Sequence, residues 1–252
     1  MHRFYAPAIG PAGSAAPLPP EEAQHLIRVL RLSIGETVRI FDGRGREHVA
    51  TVEALTKSDA IVRIGEAATS AQEPFVTITL AMALLKADKF DEVVRDATML
   101  GVRAIQPIAT TRTDVPPSRT ARVDRWRRIA VSSAKQCGRA VVPSIGEPIT
   151  FSEFIAKPIA ERLLMLAEPG LQGVISTREL AAEPAPSSAA LLVGPEGGWA
   201  DAEHRLALEC NATLVTLGPR TLRAESAPLV ALAVFQHIWG DTAALNAAPD
   251  RS

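Results

Sequence analysis

The chain has 252 residues, of which 47% are hydrophobic and 22% are charged, the composition of a soluble globular protein with one large domain or two ordinary ones. No apolar run reaches the roughly 20 residues that span a bilayer, and the first residues lack the apolar segment of a signal peptide. The cysteines and histidines lack the spacing of metal ligands or of a disulfide framework. We therefore expect a cytoplasmic protein without a metal.

The first seventy residues have the pattern of a small β-barrel that follows one helix. Two prolines, Pro19 and Pro20, open the helix, which we expect to run from about residue 21 to residue 30. Polar and apolar side chains alternate after it, and a hairpin turn of the Asp-Gly type lies at residues 42–45. Short strands at this spacing are typical of a barrel. The predicted strands cover residues 36–41, 48–52 and 60–64.

The composition changes at residues 67–74, a run of small and polar residues that ends in proline, and we place a domain boundary there. We predict domains over residues 1–72 and 73–242, followed by a flexible tail over 243–252. In the second domain strands alternate with helices, which predicts an α/β fold with a parallel sheet covered on both faces. The predicted strands are 76–84, 104–108, 162–167, 189–193 and 213–217, and the predicted helices are 89–100, 121–135, 173–180, 201–210 and 226–239.

A cluster of basic residues lies between positions 119 and 139, although the net charge of the whole chain is only −1. A polyanion is one plausible partner for this local excess of positive charge. The alternative is a solvated helix face with salt bridges to the acidic residues of the preceding helix, and the charges alone do not favour either. The basic residues are Arg119, Arg122, Arg125, Arg127, Arg128, Lys135 and Arg139, and the acidic ones are Asp88, Asp91, Glu92 and Asp96.

The apolar segment 189–193 runs directly into the turn Gly194-Pro195-Glu196-Gly197-Gly198. No Lys-Ser or Lys-Thr pair follows the glycines, so the turn is not a Walker A phosphate loop, and its spacing is not GxGxxG. The proline removes a backbone amide and stiffens the loop, which suits holding a flat ligand. A tight strand-to-helix turn without a ligand is the alternative.

A second turn follows the predicted strand 213–217 and carries charged residues. Arg220, Arg223 and Glu225 lie at the end of this strand, where open α/β sheets bind ligands. We expect Ser226 to act as the N-cap of the last helix, so that the positive helix end favours the ionised form of Glu225. An Arg-Glu surface pair with a cap is the alternative, but two such turns together favour a small-molecule pocket built largely of main chain.

Taken together, segments 194–198, 217–218 and 222–227 resemble the knot motifs of the SPOUT class of methyltransferases. More narrowly they resemble the RsmE family, which methylates N3 of one uridine in 16S ribosomal RNA. The resemblance covers roughly residues 1–242. It includes, in the order that the family shows, segment 25–31, Phe41-Asp42-Gly43, Lys86, Leu100-Gly101-Val102, Arg112 and Gln136-Cys137-Gly138-Arg139.

The resemblance implies a PUA-like barrel at the N-terminus and a SPOUT-type parallel sheet whose C-terminal part forms a trefoil knot, a topology that composition and periodicity do not reveal. It implies S-adenosylmethionine as the cofactor. It also implies a homodimer, in which the predicted helix 226–239 serves as a dimer contact or as ordinary core. The implied cofactor-binding residues are Leu166, Glu168, Gly194, Pro195, Glu196, Gly197, Gly198, Leu217, Gly218, Leu222 and Arg223.

The implied chemistry needs help from the protein, because N3 of uracil is a poor nucleophile until its proton leaves. We assign Arg223 to stabilising charge on the uracil oxygens, and Glu225 to orienting Arg223 or accepting the proton. The base must be unpaired or flipped to reach the site. The residues expected to contact RNA of the small ribosomal subunit are Arg3, His25, Arg28, Arg31, Arg44, Arg112 and Arg139, with Arg46, Arg119 and Arg122 as further candidates; packing is the alternative role of His25.

Three positions depart from the family pattern. Ser226 replaces a Thr and keeps its hydroxyl, whereas Met99 and Lys135 stand where the family usually has Glu, so the function of both Glu positions is open here. Two alternatives to uridine N3 methylation remain. One is a SPOUT enzyme that methylates a ribose 2′-hydroxyl, and the other is a non-catalytic RNA-binding or ribosome-assembly factor that binds S-adenosylmethionine.

Overall fold

The computed structural model describes residues 1–86, 88–114, 120–157, 160–240 and 242. The predicted tail 243–252 and Arg119 lie outside these residues. Two compact units make up the chain, one formed by Met1–Gln72 with Val131–Val142 and the other by Glu73–Ala130 with Pro143–Ser252. Where the structure describes the chain, none of its helices combines the length and apolar character needed to cross a membrane.

The first unit is built on a sheet of five strands in the order β1-β3-β4-β5-β2. β1 pairs with β3 in parallel, and the other neighbours are antiparallel. Within the described residues the two edge strands do not pair with each other, so the sheet is a half-barrel. The strands are β1 (Arg3–Tyr5), β2 (Ala15–Pro17), β3 (Thr37–Phe41), β4 (Glu47–Leu55) and β5 (Ala60–Ala67).

Alternating side chains fill the core of this half-barrel. Val38 and Ile40 of β3 are fully buried while Thr37 is exposed, which confirms the predicted period of two. The predicted helix 21–30 is instead two segments, a short α-helix α1 (Pro20–Gln24) and a π-helix (His25–Leu30). The wider turn ends at Arg31, which adopts the left-handed conformation with φ 53°.

The hairpin between β3 and β4 is held by the carboxylate of Asp42. Its Oδ1 accepts hydrogen bonds from the backbone amides of Arg44 and Arg46 at 2.8 and 3.0 Å, and its Oδ2 accepts one from Arg46 Nε at 2.7 Å. Burial opposes ionisation of Asp42, but these hydrogen bonds outweigh it and lower its pKa. Gly43 is required here, since its φ is +76° and a Cβ would lie 2.9 Å from the Tyr5 ring.

The segment Val131–Val142 packs with the first unit, although the predicted boundaries place it in the second domain. One reason is the guanidinium of Arg3, which pairs with Glu47 at 2.8 Å and also donates hydrogen bonds to backbone carbonyls of this segment. Those carbonyls belong to Ala134, Lys135, Gly138 and Arg139. A contact between residues more than 130 positions apart leaves no trace in local sequence patterns.

The second unit contains an all-parallel sheet in the order β11-β13-β10-β12-β6-β7-β8, with β9 beside β7. Its strands are β6 (Thr77–Ala83), β7 (Ala104–Ala109), β8 (Ser144–Ile145), β9 (Ile149–Thr150), β10 (Arg162–Leu166), β11 (Ile175–Ser176), β12 (Ser188–Val193) and β13 (Thr213–Thr216). The helices are α2 (Lys89–Met99), α3 (Thr120–Cys137), whose residues from Val131 onward belong to the first unit, α4 (Phe151–Ile155), α5 (Thr177–Ala181), α6 (Asp201–Glu209) and α7 (Ala227–Ile238).

The central strands of this sheet are apolar on both faces, as expected for a parallel sheet. In β12 every residue from Ala189 to Val193 is buried. Ala190 and Leu192 face a cluster that includes Phe151 of α4 and Ala207 of α6. The alternate residues of β12 are equally buried on the opposite face, which confirms the predicted parallel α/β sheet.

The strand order brings three chain segments together at one edge of the sheet. β10 lies between β12 and β13, so the chain places these two later strands on opposite sides of an earlier one. Because all three strands are parallel, the segments that follow them meet at their carboxyl ends, where ligands bind in such sheets. These segments are 167–169, 194–199 and 217–225.

Several short elements differ from the sequence prediction. The predicted helix 173–180 is a strand, β11, followed by the five-residue helix α5, and α4 was not predicted at all. Both helices begin with a capping box, Thr150 with Glu153 in α4 and Ser176 with Glu179 in α5. This Ser/Thr-x-x-Glu signal was present in the sequence and could have placed both helix starts.

Candidate active site

A cavity of about 340 Å³ lies in the second unit where the three segments after β10, β12 and β13 meet. Its volume is within the range of small-ligand pockets. Apolar side chains and charged groups share its wall. The lining includes Lys89, Leu166, Glu168, Val193, Gly194, Pro195, Glu196, Gly198, Trp199, Leu217, Arg220, Leu222, Arg223 and Glu225.

A hydrogen bond and close packing stabilise the first turn, residues 194–198. The Gly198 amide donates to the Pro195 carbonyl at 2.9 Å, and Gly198 adopts a φ of +68°. A Cβ on Gly198 would lie 2.8 Å from Glu168 Oε1, and one on Gly194 would lie 3.1 Å from the Trp199 indole. The two glycines therefore permit close packing of Glu168 and Trp199 against main chain.

Groups outside the cavity hold the first turn from behind. Arg112 Nη1 donates to the Gly197 carbonyl at 2.9 Å. The buried carboxylate of Glu203 accepts hydrogen bonds from the backbone amides of Thr111 at 2.8 Å and Ala200 at 2.9 Å. These contacts connect the end of β7 to the start of α6 and leave the turn little freedom.

The second turn, residues 217–225, leads into α7. Gly218 has a φ of +114°, and its carbonyl accepts a hydrogen bond from Thr216 Oγ1 at 3.0 Å. Ser226 lies at the N-cap position, but its backbone is already helical and its side chain makes no capping hydrogen bond, so the predicted capping role is wrong. The amides of Ser226 and Ala227 instead donate to the Arg223 carbonyl, which extends the turn back toward Arg223.

The ammonium of Lys89 lies between carboxylates of the two turns. Its Nζ is 3.4 Å from Glu196 Oε1 and 3.3 Å from Glu225 Oε2. A hydrogen bond from its own backbone amide lowers the pKa of Glu225; burial opposes this, and the Lys89 and Arg223 cations reinforce it. The pKa of Lys89 is raised, mainly by its interaction with Glu225. Both groups are therefore ionised at neutral pH.

Most of the residues assigned from the sequence to cofactor binding lie together on the cavity wall. Gly197 and Gly218 do not line the cavity, because the Gly197 carbonyl faces Arg112 and Gly218 shapes the turn. The assigned residues that do line it are Leu166, Glu168, Gly194, Pro195, Glu196, Gly198, Leu217, Leu222 and Arg223.

Two of the lining side chains that the sequence analysis did not assign to the site are Lys89 and Trp199. Lys89 is the first residue of α2, a position where the helix dipole disfavours a cation, so its charge there was a signal that could have been read. Trp199 follows the first turn directly and is only 6% exposed. No local pattern distinguishes it from an ordinary core tryptophan.

The candidate RNA-binding residues of the first unit differ in their availability. Arg28, Arg31 and Arg44 are exposed. Arg3 is engaged by Glu47 and the carbonyls described above, so the structure gives it a structural role and leaves its RNA contact a prediction. His25 is half-buried with its ring edge against Phe4 at 6.2 Å, and burial, with the Lys135 charge, lowers its pKa. This geometry supports packing.

The basic cluster between residues 119 and 139 is partly neutralised by ion pairs within each unit. In the second unit Arg125 Nε bonds Asp91 Oδ2 at 2.6 Å, and Arg127 pairs with Asp124 at 3.0 Å. In the first unit Lys135 pairs with Glu22 at 2.8 Å. Arg139 is buried, at 4% exposure. These pairs match the alternative of a salt-bridged helix face better than a free polyanion surface.

The two positions where the family usually has Glu have different surroundings. Lys135 uses its ammonium in the pair with Glu22 and lies 5.3 Å from the centre of the Phe4 ring. Met99 ends α2 and is 40% exposed. Across the part of the chain that the structure describes, no group of three or more His, Cys, Asp or Glu side chains is arranged to hold a metal ion.

Comparison with known proteins also divides the chain into two parts. Residues 71–236 match the family model of the RNA methyltransferase domain, and residues 18–65 match that of the RNA methyltransferase PUA domain. The chain is 37% identical over 213 residues to ribosomal RNA small subunit methyltransferase E of Synechocystis, covering 84% of this chain and 69% of that protein. It is 27% identical to the protein of the same name from Bacillus subtilis, covering 86% and 88%.

Solved structures extend the similarity to the whole fold. Ribosomal RNA small subunit methyltransferase E from Neisseria gonorrhoeae, bound to S-adenosylmethionine, superposes with a TM-score of 0.86 at 35% identity and covers 96% of this chain and 99% of that one. A protein of Legionella pneumophila in complex with the same cofactor gives a TM-score of 0.87 at 32% identity, covering 95% and 98%. The chain therefore belongs to the RNA methyltransferase family with an N-terminal PUA-like domain, and within it to the ribosomal RNA small subunit methyltransferase E group.

Proposed function

We propose that this protein transfers a methyl group from S-adenosylmethionine to N3 of a specific uridine in 16S ribosomal RNA of the small subunit. The observation that carries the proposal is the cavity between the two turns. It has a suitable size for a small ligand, and its wall carries a cation, Arg223, and a carboxylate, Glu225. Two relatives with bound S-adenosylmethionine share the fold over nearly the whole chain. The proposed substrate places the reaction in the cytoplasm.

The residues of the cavity fit S-adenosylmethionine. Leu166, Leu217 and Leu222 give it an apolar wall suited to a flat base, and the glycines of the first turn let main chain approach closely. Carboxylates and guanidinium groups on the same wall suit the hydroxyl, amino and carboxylate groups of this molecule. When bound, the cofactor supplies a methyl group activated by a positively charged sulfur.

The protein's contribution to methyl transfer is to position the base and to manage charge. Because the displacement is in line, holding the reacting groups in register accounts for much of the rate. Arg223 is exposed and, among the described residues, forms no ion pair, so its guanidinium is available to the uracil oxygens as N3 loses its proton. Glu225 is two residues away and ionised, which suits orienting Arg223 or accepting that proton.

The proposed substrate is a base that can leave its stack. An N3 atom is blocked by pairing in a duplex, so the target uridine must be unpaired or flipped into the cavity. The exposed arginines of the first unit, Arg28, Arg31 and Arg44, would contact phosphates rather than the base. This division leaves recognition of the base to the second unit.

Two further features, a knot and a homodimer, are part of the proposal. The placement of β13 and β12 on opposite sides of β10 supports a trefoil knot in the segment that follows. The last helix, α7, has an exposed face with Val230 and Ala233, and this apolar face supports a homodimer. Sedimentation equilibrium of the wild-type protein and of Val230→Asp tests the dimer; a monomeric wild type overturns it.

The decisive experiment is nucleoside analysis of 16S ribosomal RNA from cells with and without the gene, together with methylation of small-subunit RNA by the purified protein. We expect 3-methyluridine to disappear without the gene and to return with the purified protein and donor. A 2′-O-methylated nucleoside would instead support a ribose methyltransferase. Binding of the donor without any transfer would support an assembly factor.

A further inference from the structure

Lys89 occupies a place in the fold that disfavours its charge. It is the first residue of α2, where the partial positive charge of the helix N-terminus favours Asp or Glu and opposes a cation. Its side chain is also held on the cavity wall rather than left in solvent, with an exposed fraction of 38%. A lysine at this position therefore needs a compensating interaction.

That interaction comes from carboxylates on both sides of the cavity. Glu196 belongs to the first turn and Glu225 to the second, and the Lys89 ammonium lies within 3.4 Å of an oxygen of each. Lys89 thus connects the two turns that form the proposed binding site. Among the described residues, these are its ion-pair partners.

Glu225 depends on this cation more than Glu196 does. Its side chain is 16% exposed, and Oε2 is shielded from solvent without a hydrogen bond of favourable geometry, so the Lys89 ammonium at 3.3 Å is its compensation. Glu196 has a side chain that is 37% exposed. Removing the ammonium would leave a shielded carboxylate oxygen unpaired, which is costly.

We propose that Lys89 is a positioning residue for methyl transfer, which orients the Glu225 carboxylate beside Arg223. The inference rests on the proposed function, because it gives Glu225 a task only if that site carries out methyl transfer. Lys89 acts through Glu225 and does not contact the reacting atoms. Its pairing with Glu196 keeps the ammonium at the junction of the two turns.

The proposal predicts a pH dependence with a definite sign. The charged groups around Glu225 are Lys89 from α2 and Arg223 from its own segment, with Glu196 on the far side of Lys89. Both cations favour the carboxylate form. Loss of the Lys89 charge raises the pKa of Glu225, so the carboxylate is protonated at a higher pH. The acidic limb of the rate profile then moves to higher pH.

The test compares Lys89→Met, Lys89→Arg and the control Arg95→Met in methylation of small-subunit RNA across pH. Arg95 lies on the same helix but pairs with Asp96, away from the cavity. We expect Lys89→Met to lower kcat roughly fivefold. The KM for the donor should change by a smaller factor, and the acidic limb of the pH–rate profile should move to higher pH. Lys89→Arg should return the acidic limb to its wild-type pH, and Arg95→Met should leave it there. An unmoved limb in Lys89→Met overturns the proposal.

A second comparison separates action through Glu225 from a merely structural role. If Lys89 acts through Glu225, Lys89→Met has little further effect in a Glu225→Gln background, whereas equal losses in both backgrounds overturn the proposal. Titration of the Glu225 carboxyl by 13C NMR separates a failure of the Lys89 proposal from a failure of the proposed function. A wild type that methylates no RNA overturns the proposed function, and an unchanged Glu225 titration in Lys89→Met overturns the role of Lys89.

Discussion

Trp199 Nε1 donates a hydrogen bond to the carbonyl of Leu166 at 2.9 Å, and this contact joins the first turn to the end of β10. Both residues are buried, and the indole also packs against Gly194 and against the ring of Phe151 at 5.3 Å. The hydrogen bond therefore fixes the distance between two walls of the cavity from inside the core. Its effect on ligand binding is separable from its effect on stability.

Replacing Trp199 with Phe should weaken both stability and donor binding. The substitution keeps an aromatic ring but leaves the Leu166 carbonyl without its partner, which costs about 1–3 kcal/mol of unfolding free energy. We expect a reduced affinity for S-adenosylmethionine in calorimetry. Trp126→Phe is the matched control, since Trp126 Nε1 donates to Asp91 at 2.9 Å and neither of these residues lines the cavity. Equal donor affinity in the two variants would remove Trp199 from the site.

Replacing Gly198 with Ala tests how closely main chain must approach the ligand. The new Cβ would meet Glu168 Oε1 at 2.8 Å in a backbone conformation with φ +68°, so both a clash and strain are introduced. Gly173→Ala is the control, because its φ of +77° imposes similar strain with nothing within 4 Å. We expect each variant to lose about 1 kcal/mol of stability from strain. Gly198→Ala alone should lose donor affinity, measured by calorimetry.

Local sequence patterns predicted the parts of the fold that rest on local physics. Period-two alternation located β3, and apolar runs located β6 and β12, because these strands meet one or two buried faces. The sheet order did not follow from such patterns, since β10 is placed between β12 and β13 by long-range pairing. The two-residue strands β8 and β9 are too short to carry any period.

The candidate site shows the same division. The two Gly-Pro turns were visible in the sequence, and the residues around them line one cavity. The ion-pair partners of Lys89 did not follow from the sequence, because Glu196 and Glu225 lie more than 100 positions away from it. Likewise the sequence left open whether the basic cluster is free or salt-bridged, because partners such as Glu22 for Lys135 are distant in the chain. Ion pairs between residues that are distant in the chain, rather than composition, decide which charged side chains are available to a ligand.

Arg223→Ala and Glu225→Gln test the proposed chemistry directly. Loss of the Arg223 cation removes stabilisation of charge that develops on the uracil oxygens, so kcat should fall by about 10²-fold. Glu225→Gln should lower kcat with a smaller change in donor affinity, because Glu225 is assigned to the uracil side. Arg178→Ala, on α5 and outside the cavity wall, is the control. Near-normal rates in both site variants would exclude these residues from the chemistry.

Asp42 makes the stability of the first unit depend on pH. Its folded pKa lies below the ordinary value of 3.8, so its contribution is complete above that value and is lost as the pH falls through the lowered folded pKa. Asp42→Asn should destabilise the protein by about 1–2 kcal/mol near neutral pH, since the amide cannot accept all three hydrogen bonds. Urea unfolding at several pH values measures this loss of stability. The difference in unfolding free energy between wild type and variant should narrow below pH 3.8. A difference in unfolding free energy that stays constant with pH would contradict this role of the Asp42 carboxylate.

The salt dependence of RNA binding distinguishes free arginines from paired ones. Arg28 and Arg31 are exposed, so each that contacts a phosphate should contribute about one unit to the slope of log K against log salt. Arg28→Ala and Arg31→Ala should therefore lower both the affinity and the slope. Arg127 is already paired with Asp124 and Glu147, and its replacement by Ala should change neither. Filter binding of small-subunit RNA at several salt concentrations measures all three. An equal loss of slope in Arg127→Ala would restore the basic cluster as an RNA surface, because its ion pairs would then open when RNA binds.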